Sequence, residues 1–241
     1  MSTKHSKAAG AFLKNREMAA WHDETLWMVR AKRDKMSKEV PEWEQLRDAA
    51  CALKMYSNSH LDQLLQEFEK NALANGAYVY WAKDADEYCK IIYNILSGHQ
   101  VKHFIKSKSM LAEECGLNEY LEEKGIEVVE SDLGERILQL MHKRPSHIVM
   151  PAIHIKKEEI GELFVREMGT EPGNNDQTYL THAARKNLRQ KFIHAEAAMT
   201  GANFAVASTG ECVVCTNEGN ADMGTSQPKL QITAFGVEKI G

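Results

Sequence analysis

Short apolar runs alternate with helical stretches between Gly76 and Gly169, and this alternation restricts the fold more than any other feature of the chain. "AYVYWA" (77–82), "HFIKS" (103–107), "IEVVE" (126–130) and "HIVMP" (147–151) read as strands. Asp84 to Leu96, Met110 to Lys124, Leu133 to Met141 and Lys157 to Met168 read as helices, the last closed by Gly169. Strands alternating with helices of this length predict βα units and a parallel sheet covered on both faces. The expected fold class is α/β, a Rossmann-like three-layer open sheet. Ligands of such sheets sit where the carboxyl ends of strands give way to helices, which puts Lys106 to Phe164 at the centre of any functional reading.

The first 75 residues have another pattern. Residues 4 to 57 read as helix, broken near Val40-Pro41, with Trp21 and Trp27 among many charges. So charged a helix needs an apolar partner, either the core or another subunit. Ser59, with Asp62 three residues on, can cap a further helix whose Leu61, Leu64, Leu65, Phe68 and Leu73 keep helical spacing until Asn75-Gly76. The organisation expected is a helical arm over 1–75, outside the α/β core, and an α/β domain over 76–241. Within that domain "GTEPGNNDQ" (169–177) reads as a loop, and a long helix comes next with Leu180, Ala184, Leu188, Phe192, Ala195 and Met199 as its buried stripe. "NFAVAS" and "ECVVCTN", separated by Thr209-Gly210, read as a β-hairpin, and "LQITAFGVEKI" is the last apolar run.

Composition narrows the function classes. Charged residues make up 27% of 241 and the formal net charge is -4, so nothing draws the chain towards nucleic acid. No apolar run approaches the ~20 residues of a membrane span, and "MSTKHSKAAGAF" lacks a secretory signal, which predicts a cytoplasmic protein. Five cysteines without framework spacing fit reduced thiols. Cys212-Val-Val-Cys215 lacks the second cysteine pair of a four-thiolate site, and no metal site is expected.

Candidate chemistry clusters at the ends of the expected strands. Ser107-Lys108-Ser109 combines hydroxyls, an ammonium and backbone N–H groups that could converge on a carboxylate or phosphate, although Ser109 would serve equally as a plain helix cap. Asp132 and Glu135 share one helix face and could share a proton, or they form a simple capping box. His147 and His154 bracket the run ending at Pro151, where acid–base work or a single satisfied hydrogen bond are both open. Asn217-Glu218-Gly219-Asn220 is a turn whose glutamate would project beside a ligand at the sheet edge. Lys108, Asp132, His154 and Glu218 are expected to meet in one cleft. No glycine-rich dinucleotide fingerprint, phosphate loop, zincin motif or nucleophile elbow is present.

Taken together, "VKHFIKSKSMLAEECGLNEYLEEKGIEVVESDLGERILQL", "PSHIVMPAIHIKKEEIGELF" and "TGANFAVASTGECVVCTNEGN" resemble the LUD (lactate utilisation) family, and within it the iron–sulfur subunits. The resemblance implies a fold similar to the NagB/RpiA/CoA-transferase superfamily and a part in oxidising L-lactate to pyruvate together with other lactate-utilisation subunits. Matching positions include Lys106, Ser107, Lys108, Ser109, Asp132, Gly134, Glu135, His147, Thr209, Gly210, Asn217, Gly219 and Asn220 as candidate ligand-binding residues. His154 and Glu218 are the candidate catalytic ones. Ser131 stands where the pattern has threonine. The family continues into a region of C-x-x-C-x-x-C-x-x-x-C-P runs that hold 4Fe-4S clusters, and this sequence contains none, so clusters are expected only outside it. The abrupt stop of the last apolar run at Gly241 fits a chain truncated before that region. Alternatives from other classes are a non-catalytic ligand-binding or subunit-docking module, or a CoA-transferase-like or isomerase-like enzyme with Glu218 as its carboxylate. Homo-oligomerisation through the N-terminal helices is a further expectation.

Overall fold

A computed structural model describes the backbone of residues 2–241 and the side chains from Ser6 onward. Four helices open the chain, α1 (Ser2–Lys14), α2 (Arg16–Lys38), α3 (Trp43–Ser59) and α4 (Leu61–Ala74), followed by α5 (Ala85–Gly98) and β1 (His103–Lys106). Next come α6 (Met110–Glu114), α7 (Leu117–Glu123), β2 (Glu127–Glu130), α8 (Leu133–Met141), α9 (Lys157–Met168) and α10 (Gln177–His194). The chain finishes with β3 (Ala197–Thr200), β4 (Phe204–Val206), β5 (Glu211–Val213), α11 (Asn220–Ser226) and β6 (Leu230–Thr233).

The central sheet is parallel, in the order β2-β1-β3-β6, and strand parity makes it three layers deep. Phe104, Val128, Ala197 and Met199 face α5 and α7, packing on Ile92, Leu96, Leu117 and Leu121. Their neighbours Ile105, Val129 and Ala198 face Leu188 and Phe192 of α10 on the other side. Successive residues of a strand point to opposite faces, so this division comes directly from the apolar runs. A third cluster joins Ile137 of α8, Leu163 and Phe164 of α9, and Leu180 and Ala184 of α10. The helices begin where their sequences provide caps: Asp84 accepts from the Glu87 N–H at 2.9 Å and Asp176 from that of Tyr179 at 2.8 Å. Gly169 ends α9 at φ 67°, in the left-handed region expected of it.

The four strands are not the four that the alternation predicts. "AYVYWA" is extended but pairs with no other strand, because Val79 seats it on α4 and the hairpin rather than in the sheet. "HIVMP" is a series of turns: His147 Nδ1 accepts the N–H groups of Val149 and Met150, curling the chain before Pro151. The long helix stops at His194, and Met199, expected on its stripe, lies in β3. That strand is buried along its whole length, so it lacks the alternation that separates a strand from a buried helix turn. The fourth strand is β6, within the last apolar run.

The hairpin forms as expected, β4 pairing antiparallel with β5 in the register Phe204↔Val213. It packs against α4, with Phe68 and Ala72 on Ala205, Ala207 and Ile240. Asn71 and Asn75 donate to the carbonyls of Ala207 and Thr209 at 2.9 and 2.8 Å. The first three helices touch the remainder through polar tethers, Glu17 to Lys156 at 2.6 Å and Lys54 to the carbonyls of Glu238 and Ile240 at 2.9 and 3.0 Å. Trp21 and Trp27, expected to seat the arm, stay exposed in the single chain.

Gly210 sits at the hairpin turn with φ 72°, and a Cβ there would lie 2.2 Å from the backbone nitrogen of Ala72. Gly210→Ala should therefore force the hairpin off α4 and lower stability by about 2 kcal/mol or more, read from urea unfolding monitored by circular dichroism.

Candidate functional site

The loops that leave the carboxyl ends of all four parallel strands meet around one cavity of about 1040 Å³. Ser107–Ser109 come after β1, Asp132–Gly134 after β2, Gly201–Asn203 after β3 and Ala234–Gly236 after β6. Residues 148–153 wall one side, and Val214–Glu218 with Asn220 wall another. A shared cavity at the strand ends is where open α/β sheets bind ligands. The walls hold both apolar groups, such as Met110, Ile148 and Phe235, and polar ones, such as Asn203, Thr216 and Asn217.

Beneath this floor lies a buried ion pair. Lys106 Nζ and Glu130 Oε1, at the last residues of β1 and β2, are 2.7 Å apart and virtually solvent-free. Asn118 of α7 donates to the same Glu130 oxygen at 2.7 Å. Gln139 of α8 holds the β2 backbone from the side, accepting from the Glu130 N–H at 3.1 Å and donating to the Val128 carbonyl at 2.7 Å. Lys106 is thus committed to the core, and it is Lys108, two residues on, that lines the cavity.

Lys108 Nζ donates to the Val149 carbonyl at 2.7 Å and lies 3.4 Å from Glu135 Oε1. Glu135 is buried behind the cavity wall, beside Asp132. Its burial, then the hydrogen bond with Asp132 and that neighbour's charge, push the Glu135 carboxyl up to about 8 against the opposing pull of Lys108. Asp132 also caps α8, accepting from the Gly134 N–H at 2.9 Å. Gly134 leaves room for Pro151, whose ring carbon would stand 2.9 Å from a Cβ. Across the cavity, burial and then the charge of Asp132 raise the Glu218 carboxyl, with Lys108 pulling it down. The Lys108 ammonium therefore faces carboxyls that hold protons more readily than usual. That arrangement can bind an anion and exchange protons with it.

Of the four residues expected to converge, Lys108, Asp132 and Glu218 line the cavity, together with Ser107, Ser109, Gly134, Asn217 and Asn220. His154 does not. Its Nδ1 lies 2.7 Å from Ser146 Oγ, and burial, then Lys143 and His22, lower its pKa, which places it towards the arm. His147 holds its own turn, Thr209 and Gly210 lie against α4, and Gly219 caps α11 at φ 78°. Sequence reasoning misses Asn203, Cys215 and Thr216 as residues of the cavity. For Asn203 the signal is the loop after β3, which disappears when the preceding helix is extended to Met199; Cys215 and Thr216 follow β5, in the run that leads into the Asn217–Asn220 turn. Asn203 Oδ1 accepts the Cys215 N–H at 2.8 Å and so joins two walls of the cavity.

Of the five cysteines, Cys89 is buried, Cys115 is half-buried, and Cys51, Cys212 and Cys215 are exposed. Among the described residues no group of three or more His, Cys, Asp or Glu side chains could hold a metal ion, and no helix is long and apolar enough to cross a membrane.

The family model described as the LUD domain matches residues 65–241. The chain belongs to the LUD domain family. It is similar to proteins named Lactate utilization protein B from Bacillus thuringiensis (strain Al Hakam), Bacillus cereus (strain B4264) and Bacillus anthracis (strain A0248). Each is 43% identical over 207 residues, covering 86% of this chain and 43% of the relative. The chain thus spans less than half the length of these relatives. No solved structure matches it. The matched region begins within α4, and α4 packs on the hairpin of that domain.

Two outcomes are expected from the charges. Lys106→Met leaves Glu130 buried without its cation and should cost about 3 kcal/mol in chemical unfolding, whereas Lys106→Met with Glu130→Leu should recover most of that loss. Glu135 keeps its proton in the folded chain to about pH 8 but would lose it near 4.5 when unfolded, so the folded state binds more protons and stability falls as pH rises between those values. Glu135→Gln should match the parent near pH 5 and exceed it by on the order of 2 kcal/mol at pH 8–9, measured by denaturant titration at each pH.

Proposed function

We propose that this LUD domain works in a cytoplasmic multi-subunit assembly that oxidises L-lactate to pyruvate, and that its cavity receives the substrate. The observation that carries the proposal is the meeting of Lys108, Asp132 and Glu218, from three different loops, around one cavity in a chain of this family. In this reading the Lys108 ammonium takes the substrate carboxylate, helped by the hydroxyls of Ser107 and Ser109. Glu218, whose carboxyl pKa is held above its ordinary value by burial, accepts the hydroxyl proton as the C–O bond of lactate becomes the carbonyl of pyruvate. The substrate's α-carbon gives up its hydrogen as a proton to solvent, and the two electrons left behind pass singly to acceptors outside this chain. Iron–sulfur clusters elsewhere in the assembly are the class that the family resemblance implies.

The cavity's size favours a second reading. At about 1040 Å³ it reaches the upper end of the range for drug-sized ligands, and a three-carbon acid would leave most of it to water. A nucleotide-like ligand bound without chemistry in this domain fits that volume better. Titration calorimetry of the chain with L-lactate, pyruvate and adenine nucleotides separates the two. The first reading expects lactate or pyruvate to bind, with Lys108→Met weakening affinity at least tenfold and Glu218→Gln leaving binding within about threefold while lowering turnover by the assembly by roughly 10²-fold or more. Nucleotide binding alone, with lactate silent, would decide for the second.

A further inference from the structure

The unpaired segment Ala77–Ala82 is a strand in everything except a partner. Its side chains alternate as a strand's do: Tyr78 is 84% exposed, Val79 packs against the cluster of Phe68 and Ala205, and Tyr80 is 57% exposed. On the inner face Trp81 donates its indole N–H to Glu69 of α4 at 3.0 Å. From Tyr78 to Ala82, no backbone N–H or carbonyl takes part in a hydrogen bond among the described residues. Yet the composition, β-branched and aromatic between two alanines, is among the most strand-favouring in the chain. An extended segment held on one face by packing, with its ladder groups free and two tyrosines outward, is an edge ready for β-addition.

We propose that this edge pairs antiparallel with the same segment of a second copy of the chain, about a two-fold axis at Val79. The order of residues selects that occupant. Ala77-Tyr78-Val79-Tyr80-Trp81-Ala82 carries no charge, and its Tyr78-Val79-Tyr80 centre reads alike in both directions. Antiparallel pairing on Val79 sets Tyr78 of each copy opposite Tyr80 of the other, with Cβ atoms about 4.5–5.5 Å apart on one face. A four-tyrosine ladder results, built from a single self-complementary patch, as a two-fold interface requires. Each aromatic side chain can bury ~150–250 Å², so the parts of Tyr78, Tyr80 and Trp81 still exposed, 84%, 57% and 44%, give roughly 600–900 Å² over two copies. That falls short of the ~1,000 Å² of a stable specific interface, so the dimer is weak and concentration-dependent. The arm helices, expected to mediate any self-association, take no part in this pairing.

Sedimentation equilibrium of the full chain over roughly 1 to 200 µM tests the pairing. The parent chain should pass from monomer to dimer. Tyr78→Glu with Tyr80→Glu sets glutamate opposite glutamate twice and should weaken the dimer at least tenfold, while Tyr78→Glu with Tyr80→Lys sets glutamate opposite lysine twice and should restore most of the association. Amide exchange of the parent gives a reading independent of any variant: alternate amides from Tyr78 to Ala82 should gain protection only at the higher concentrations. A chain that stays monomeric throughout, a dimer indifferent to both pairs of substitutions, or a glutamate–lysine variant no better than the double glutamate would each overturn the proposal.

Discussion

The Lys106–Glu130 pair is the constraint on which the rest of the structure depends. It joins the last residues of two neighbouring parallel strands inside the face covered by α7, where two charges are tolerable only if they face each other. Strand parity then sets the direction of the next residue on each chain. With Lys106 turned to that face, Ser107 donates its N–H to the Met199 carbonyl at 2.9 Å and ties the β1 exit to β3. Ser131 donates both its N–H, at 2.8 Å, and its hydroxyl, at 3.0 Å, to the Lys106 carbonyl, tying the β2 exit to β1. Three strand exits are thereby fixed relative to one another. A one-residue slip of β1 against β2 would bury a lone ammonium, so the register that shapes the cavity floor is defended by the cost of an unpaired charge.

How much of this is legible in the sequence depends on whether a run carries a period. α8 and α9 lie over the residues expected, because amphipathic spacing is joined by the acidic cap Asp132 in α8 and by the terminal Gly169 in α9. β1 and β2 are equally plain, bracketed by polar residues and short enough to be nothing else. β3 is not. Ala197–Thr200 is apolar, continuous and buried on both faces, so it carries on the stripe of α10 without a break. "HIVMP" misleads for the opposite reason: it has a strand's composition, but the imidazole of His147 satisfies two backbone N–H groups locally and bends the run before a ladder can form.

The site shows the same division. Lys108, Asp132 and Glu218 are readable as residues placed after strands, and the cavity brings them together. The two fates of neighbouring lysines are not readable, since Lys106 and Lys108 lie in one polar cluster and only pairing with Glu130 tells them apart. Nor can the sequence show that Glu135 lies behind the wall, where its carboxyl titrates far from the usual carboxylate range. Thr209 and Gly210 match the family pattern for a reason visible only in three dimensions, the close approach of the hairpin turn to α4.

The bond from Lys108 to the Val149 carbonyl means that this ammonium is already engaged within the protein. An anion arriving there exchanges one partner for another, so its measured affinity is a difference between two interactions. Thermodynamic linkage makes the exchange reciprocal. Whatever frees residues 148–153 from Lys108 strengthens the hold on an anion, and an anion that captures Lys108 slackens those residues by the same free energy. Substitutions far out on that wall therefore reach the chemistry of the site without touching anything bound in it.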